Sequence, residues 1–262
     1  MVPRAFVEER IVCRQSTVCV ITDCAPAHDG ASDRLVLVML HGTNRTGAGF
    51  LEDLAPYRAW ADVLLPDLPG SGHSESLLEV GIGPMADEVV CLIRRRLPGR
   101  RLVLIGESTG ALIGIACCDG RLPIAGLVML DPPMSMTKQW VVHMNVLDRC
   151  RRDPDWYYRA TAENVFGLDW QTGEVFERLY YAGLATLTAP LLIVRGDTPL
   201  FPVRPPLHAP NCFDDVDEMV VRMLLPGCVI ERLSDCGHLV YIDGGVRCHD
   251  LVRAFVARIA DA

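Results

Sequence analysis

Apolar and polar residues fall in alternating blocks along this chain. Residues 5–13 and 17–22 read as an antiparallel opening hairpin, and the polar stretch 25–34 as a loop. Leu35–Leu40 is then apolar without interruption, the pattern of a strand buried on both faces. The runs 61–65, 102–105, 126–130 and 191–194 repeat that pattern, and 229–233 offers a last strand. Between them 47–60, 84–97 and 109–119 are amphipathic, and 246–260 predicts a closing helix. Strands alternating with helices predict an α/β fold: a mostly parallel, doubly wound sheet with helices on both faces. Neither an internal repeat nor a low-complexity segment interrupts it.

Residues 135–187 break this rhythm. They contain no buried-strand run, only helical patterning, yet hold nine of the chain's seventeen aromatic residues. We expect a helical insertion over the C-terminal edge of the sheet, where open α/β sheets bind ligands. Most of its aromatics then form a small core of the insertion's own, and a few face a substrate pocket.

Composition narrows the function. With 262 residues, half of them hydrophobic, the chain can bury a large core. A net charge of −8 argues against nucleic acid as a partner, since phosphate binding needs a basic face. No run of about 18 apolar residues predicts a membrane span, and the N-terminus shows no secretion signal. The eleven cysteines are odd in number and scattered, with an adjacent pair at Cys117 and Cys118 and no C-x-x-C spacing. They read as small buried hydrophobes in a reducing cytoplasm, with structural zinc the disfavoured alternative.

The sharpest chemical signal is Gly106-Glu107-Ser108-Thr109-Gly110, between an apolar strand and the helix that starts at Thr109. A strand-to-helix turn flanked by glycines exposes the serine at its apex. Such a serine needs a base. His238 fits best, because it follows the last strand and so reaches the same sheet edge as Ser108. His41, His73, His28, His143, His208 and His249 fit less well. Two aspartates at strand ends can orient the base, Asp197 after strand 191–194 or Asp131 after strand 126–130. Asp235 reads as a turn residue. The developing oxyanion needs backbone donors, for which Thr109 and Thr43, in the His41-Gly42-Thr43 loop, are the candidates. The glycines at 42–49 and 70–72 match neither a P-loop nor a dinucleotide fingerprint. Arg94, Arg95, Arg96, Arg100 and Arg101 read as a solvated face at the opposite end of the sheet. Arg149, Arg151 and Arg152 stand in the insertion among Asp148, Asp153 and Asp155, where ordinary surface pairing competes with a place at the pocket mouth.

Taken in order, the His41-Gly42 loop, the stretch Asp67-Leu68-Pro69-Gly70-Ser71-Gly72-His73-Ser74, the 106–110 turn and the Gly237-His238 end resemble the α/β-hydrolase family across nearly the whole chain. The resemblance implies an eight-stranded, mostly parallel sheet formed by 1–134 and 188–262, with a helical lid at 135–187 inserted after strand 6. It implies Ser108 as nucleophile, His238 as base, the Gly42-Thr43 loop and Thr109 at the oxyanion, and no cofactor or metal. The acid departs from the family's common pattern: Asp197 directly follows Gly196, and the residue before Pro199 is Thr198. Some relatives carry the acid where Asp131 stands, so the resemblance leaves the two nearly equal, with Asp197 slightly ahead. Glu107 takes a place that histidine often holds.

Three functions follow as expectations. The first is a serine hydrolase acting on an ester, thioester or lactone with an apolar or aromatic acyl group. The second is an acyltransferase that moves such a group from a coenzyme A or carrier-protein thioester, whose phosphates the insertion's arginines would meet. The third is a non-hydrolytic member doing lyase chemistry or binding, since fold alone does not fix function. In each the partner is a small molecule, and neither nucleic acid nor membrane.

Overall fold

The structure, a computed structural model, describes residues 5–25, 34–199 and 209–260. Most of the expected 25–34 loop, with His28, and also His208 lie outside the described residues.

The expected hairpin forms as β1 (Val7–Val12) and β2 (Thr17–Thr22). It joins β3 (Leu35–Leu40), β4 (Ala61–Pro66), β5 (Leu102–Glu107), β6 (Ile124–Leu130), β7 (Leu191–Arg195) and β8 (Val229–Arg232). These make one eight-stranded sheet in the order β1-β2-β4-β3-β5-β6-β7-β8. The β1–β2 and β2–β4 pairs are antiparallel, and every pair from β4 to β8 is parallel.

Period-two alternation splits each central strand between two cores. Leu37, Met39, Val103, Ile105, Val128 and Leu130 pack on one face with Tyr57, Phe255 and Val256. Val36, Val38, Leu40, Leu104, Leu127 and Met129 pack on the other with Val89, Leu92 and Ile113. The first face is covered by α7 (Val240–Gly244) and α8 (Val246–Ala260), the second by α2 (Ile82–Arg96) and α3 (Thr109–Cys117). Burial on both faces is why these strands read as unbroken apolar runs, each large side chain adding about 1.5–3 kcal/mol.

Some elements differ from the pattern. The 47–60 stretch is a 3₁₀ helix, Gly47–Asp53, followed by the short α1 (Ala55–Arg58). Pro56 lacks an N–H and cannot sit inside a longer helix, but it fits the first turn of a new one. A helix the pattern did not predict, α6 (Asp215–Leu224), is nucleated by a capping box between Asp214 and Asp217. The arginine run is not wholly solvated. Arg96 is buried, pairing with Glu9 and donating to the Cys24 and Ala25 carbonyls. Arg100 is buried between Asp62 and the Arg34 carbonyl. Carbonyls at the strand ends accept from these guanidiniums, which makes the run a seam as well as a surface.

Between β6 and β7 the chain builds α4 (Trp140–Arg152), α5 (Trp156–Asn164) and a 3₁₀ turn, Ala182–Thr186. Met136, Val146, Cys150, Tyr158, Ala162, Val165, Phe166 and Leu168 form a separate cluster here, the insertion's own core. Strand-like pairing within it is limited to two isolated bridges, Ser135–Leu179 and Leu168–Val175. Among the described residues no helix is long and apolar enough to cross a membrane.

Candidate active site

At the C-terminal end of β5 the chain reverses into α3 with Ser108 at the apex. Ser108 has φ 53° and ψ −120°, a strained conformation for a residue with a side chain. The flanking glycines make the turn possible. A Cβ on Gly106 would lie 2.5 Å from the Ala111 backbone, and one on Gly110 would strike the Leu40 carbonyl oxygen. The Ser108 N–H donates to the Leu130 carbonyl at 3.0 Å, so the elbow is tied to the end of β6.

The next residue after β6 is Asp131. It is fully buried and has φ 44°. Its Oδ2 accepts from the Cys212 N–H at 2.6 Å, and its Oδ1 from the Phe213 N–H at 3.2 Å. Oδ2 also lies 2.6 Å from His238 Nδ1, and His238 Nε2 lies 3.0 Å from Ser108 Oγ. The carboxylate thus fixes the tautomer: Nδ1 carries the proton toward Asp131, and Nε2 faces the serine hydroxyl as acceptor. Burial opposes a charged imidazole. Cys212 beside Nε2 and Asp131 on Nδ1 outweigh it and hold His238 well above its ordinary value of 6.5.

Asp197, the aspartate placed slightly ahead, does not reach this chain of contacts. Its N–H donates to the Cys236 carbonyl at 2.9 Å, beside the Thr198 N–H on the same oxygen, and no hydrogen bond joins its carboxylate to His238. The turn after β7 braces the 234–238 loop through its backbone, and the loop 209–213 supplies two amides that Asp131 alone meets. His238 itself is tied to that loop by its N–H on the Ala209 carbonyl, 2.8 Å. Asp235 is an exposed turn residue with φ 55°.

Thr43 and Thr109 come together, their hydroxyls 2.7 Å apart. Thr109 opens α3, so its N–H has no partner within the helix, and neither its N–H nor that of Thr43 meets an acceptor among the described residues. Gly42 lies against Ser108: a Cβ there would sit 3.1 Å from Ser108 Cβ. Glu107 explains how this loop is held. It is 1% exposed, and its Oε1 accepts from Arg45 Nη1 at 2.7 Å, linking the 41–46 loop to the elbow. Its Oε2 has no partner, and burial pushes this carboxyl up against the pull of Arg45 and His238.

Reasoning from sequence missed Cys212, whose Sγ lies 4.0 Å from His238 Nε2 and whose N–H serves Asp131. Nothing in its spacing marks it, since it lies 26 residues from His238 and 81 from Asp131. Asp131, Cys212 and His238 are also, among the described residues, close enough to share a metal ion. Both imidazole nitrogens are already engaged, by Asp131 and Ser108, which is poor preparation for a metal. All eleven cysteines are free thiols. Of the other histidines, His41 is buried, its Nδ1–H facing the Gly42 carbonyl and its Nε2 accepting from the Leu68 N–H. His143 meets the Phe166 carbonyl and His249 the Tyr57 hydroxyl.

A cavity of about 370 Å³ opens at Ser108 and His238, walled on the insertion side by Val142, Val146, Tyr158 and Phe166. A second, of about 260 Å³, adjoins it and shares Thr43, Asn44, Arg149 and Tyr158 as a common wall, with Tyr157 beyond. Of the insertion's aromatics, then, Tyr157, Tyr158 and Phe166 border these spaces, while Trp156 and Phe176 are exposed.

The model of the alpha/beta hydrolase family matches residues 37–251. The magnesium-chelatase 30 kDa subunit of Rhodobacter capsulatus is 34% identical over 88 residues, 33% of this chain and 31% of that protein, so the match spans about a third of that relative. An esterase from Thermogutta terrifontis, solved with malate, superposes with a TM-score of 0.68 at 16% identity, covering 97% of this chain and 99% of that one. The thioesterase domain from the curacin biosynthetic pathway gives 0.67 at 17%, covering 95% and 99%. At such identities the two solved structures are alike in fold alone.

Proposed function

The chain belongs to the alpha/beta hydrolase family, and from that premise we propose that it is a serine hydrolase cleaving an ester, thioester or lactone through an acyl-serine intermediate. The observation that carries this reading is the unbroken relay from Ser108 Oγ to His238 Nε2, and from His238 Nδ1 to Asp131.

Ser108 Oγ attacks the carbonyl carbon as its proton passes to His238 Nε2. The oxyanion that forms is held by the Thr43 and Thr109 N–H groups, each worth about 10²- to 10³-fold in rate. The bond to the leaving oxygen or sulfur breaks, and His238 returns the proton to it. Water then gives a proton to His238 and its oxygen to the acyl carbon. Collapse frees the acid and restores the Ser108 hydroxyl. Asp131 keeps its charge throughout and steadies the imidazolium. The apolar wall of Val142, Val146 and Phe166 suits an apolar or aromatic acyl group, and residues 135–187 act as its lid.

The lid also favours a second reading, an acyltransferase using the same serine, because a covered cavity limits the approach of water. A fluorophosphonate probe tests both: it labels Ser108, and Ser108→Ala abolishes labelling and ester turnover. Protein that stays unlabelled, with Ser108→Ala fully active, overturns both. An acyl-Ser108 that discharges to an added alcohol, amine or thiol and not to water selects the transferase.

A further inference from the structure

We propose that Arg149 is an anion subsite at the mouth of the Ser108 cavity, and that the substrate carries a carboxylate or phosphate that pairs with it. The inference rests on the serine-hydrolase reading and narrows its substrate class.

Arg149 lies in the wall shared by both cavities and is 37% exposed at its side chain. Its guanidinium stacks 3.9 Å above the centre of the buried Tyr158 ring. It also donates to the Asn44 side chain, and Asn44 in turn meets the Tyr158 hydroxyl. Asn44 holds the left-handed conformation, φ 67°, and directly follows Thr43. The cation is therefore pre-positioned one residue from a proposed oxyanion donor, so little side-chain entropy is left to lose on binding an anion.

The nearby acids leave it available. Asp153 approaches only to 4.0 Å and is itself half exposed, an arrangement worth little. Asp148 is occupied by Arg152, and Asp155 caps α5 by accepting from the Tyr157 and Tyr158 N–H groups. Asn44 and Tyr158 use only part of the five N–H donors a guanidinium offers. In a chain of net charge −8, a cation stacked and braced at the cavity mouth is a recognition element, not part of a general basic surface.

The test uses two matched pairs of acyl substrates on the full chain. One pair is p-nitrophenyl butyrate and the mono-p-nitrophenyl ester of glutaric acid. The other is the butyryl thioester of N-acetylcysteamine and that of coenzyme A. The readout is the ratio of kcat/KM for the charged over the neutral member, which a general loss of folded enzyme does not move. The wild type should favour the charged member of one pair by about ten- to a hundredfold. Arg149→Met should bring that ratio near one, and Arg149→Lys should keep part of it. A preference in the first pair assigns a carboxylate on the acyl group, and one in the second a phosphate on the leaving group. Ratios near one for the wild type in both pairs, or a preference that survives in Arg149→Met, overturn the subsite and leave the hydrolase reading standing. Turnover of none of the four, with Ser108 unlabelled by fluorophosphonate, is the failure of the hydrolase reading itself. Turnover of none with Ser108 labelled rejects the subsite.

Discussion

Asp131 and His238 stand 107 residues apart in the chain, yet Oδ2 and Nδ1 meet at 2.6 Å. Asn tolerates the left-handed backbone at position 131 and its amide oxygen can still accept one of the loop amides, so Asp131→Asn should fold. It should lower kcat about 10⁴-fold by losing the tautomer control of His238. Asp197→Asn should stay within about threefold of wild type. The reverse ranking in steady-state kinetics would move the acid to Asp197.

Because Cys212 and Asp131 hold His238 above its ordinary 6.5, its imidazolium persists to higher pH than a free imidazole's and must lose the Nε2 proton before the ring can act as base. The acid limb of kcat/KM against pH should therefore lie above 6.5 and move down in Asp131→Asn, where the stabilising carboxylate is gone. A limb at or below 6.5 in the wild type contradicts this electrostatic picture.

Gly42 is a steric requirement of the Ser108 turn. Ala in its place would put Cβ 3.1 Å from Ser108 Cβ and 3.4 Å from the Glu107 carbonyl oxygen, so the serine must shift by a few tenths of an ångström. Gly42→Ala should lower kcat by about tenfold or more while circular dichroism shows the fold intact. Wild-type kcat in that variant would remove the constraint.

Glu107 and Arg45 should behave as a unit. Arg45→Met leaves a carboxylate that is 1% exposed without its cation, at a cost of about 3–5 kcal/mol in urea unfolding. Adding Glu107→Gln removes the stranded charge, so the double variant should be more stable than Arg45→Met alone. Additive losses would mean the pair is not coupled.

Burial lowers the pKa of His41, His143 and His249, so the folded chain takes up their protons less readily than the unfolded one. The sign follows from linkage: this stability is present above an unfolded imidazole pKa of about 6.5 and is lost as pH falls below it. His238, shifted the other way, does not share in that loss. The thermal midpoint should drop between pH 7.5 and 5.5. His143→Gln, which keeps a donor for the Phe166 carbonyl, should flatten the drop; an unchanged slope would exclude His143 as a contributor.

The strand segments and the turn that carries Ser108 were readable because both are local. An unbroken run such as Leu35–Leu40 reports burial on two faces, and a serine between two glycines reports the elbow. Which aspartate meets His238 was not readable. Asp131 and Asp197 both end apolar strands, and what separates them is the pair of amides from Cys212 and Phe213, more than 80 residues from Asp131 in the chain. Arg149 was likewise undecided among its acidic neighbours until Asn44 and Tyr158 were seen to hold it. The α6 helix was missed although its capping box is written in the sequence at Asp214 and Asp217.

Ser108 and Asp131 leave β5 and β6, neighbours in the middle of the sheet, and the Ser108 amide is bonded to the last carbonyl of β6. His238 comes from beyond β8, the edge strand. Two of the three hydrogen-bonded groups thus share the fate of the centre of the sheet, and the third depends on a loop at its margin. Under the proposed mechanism catalytic competence and native structure are consequently separate quantities: local opening of the margin should silence Ser108 while amide protons of the central strands stay protected from exchange.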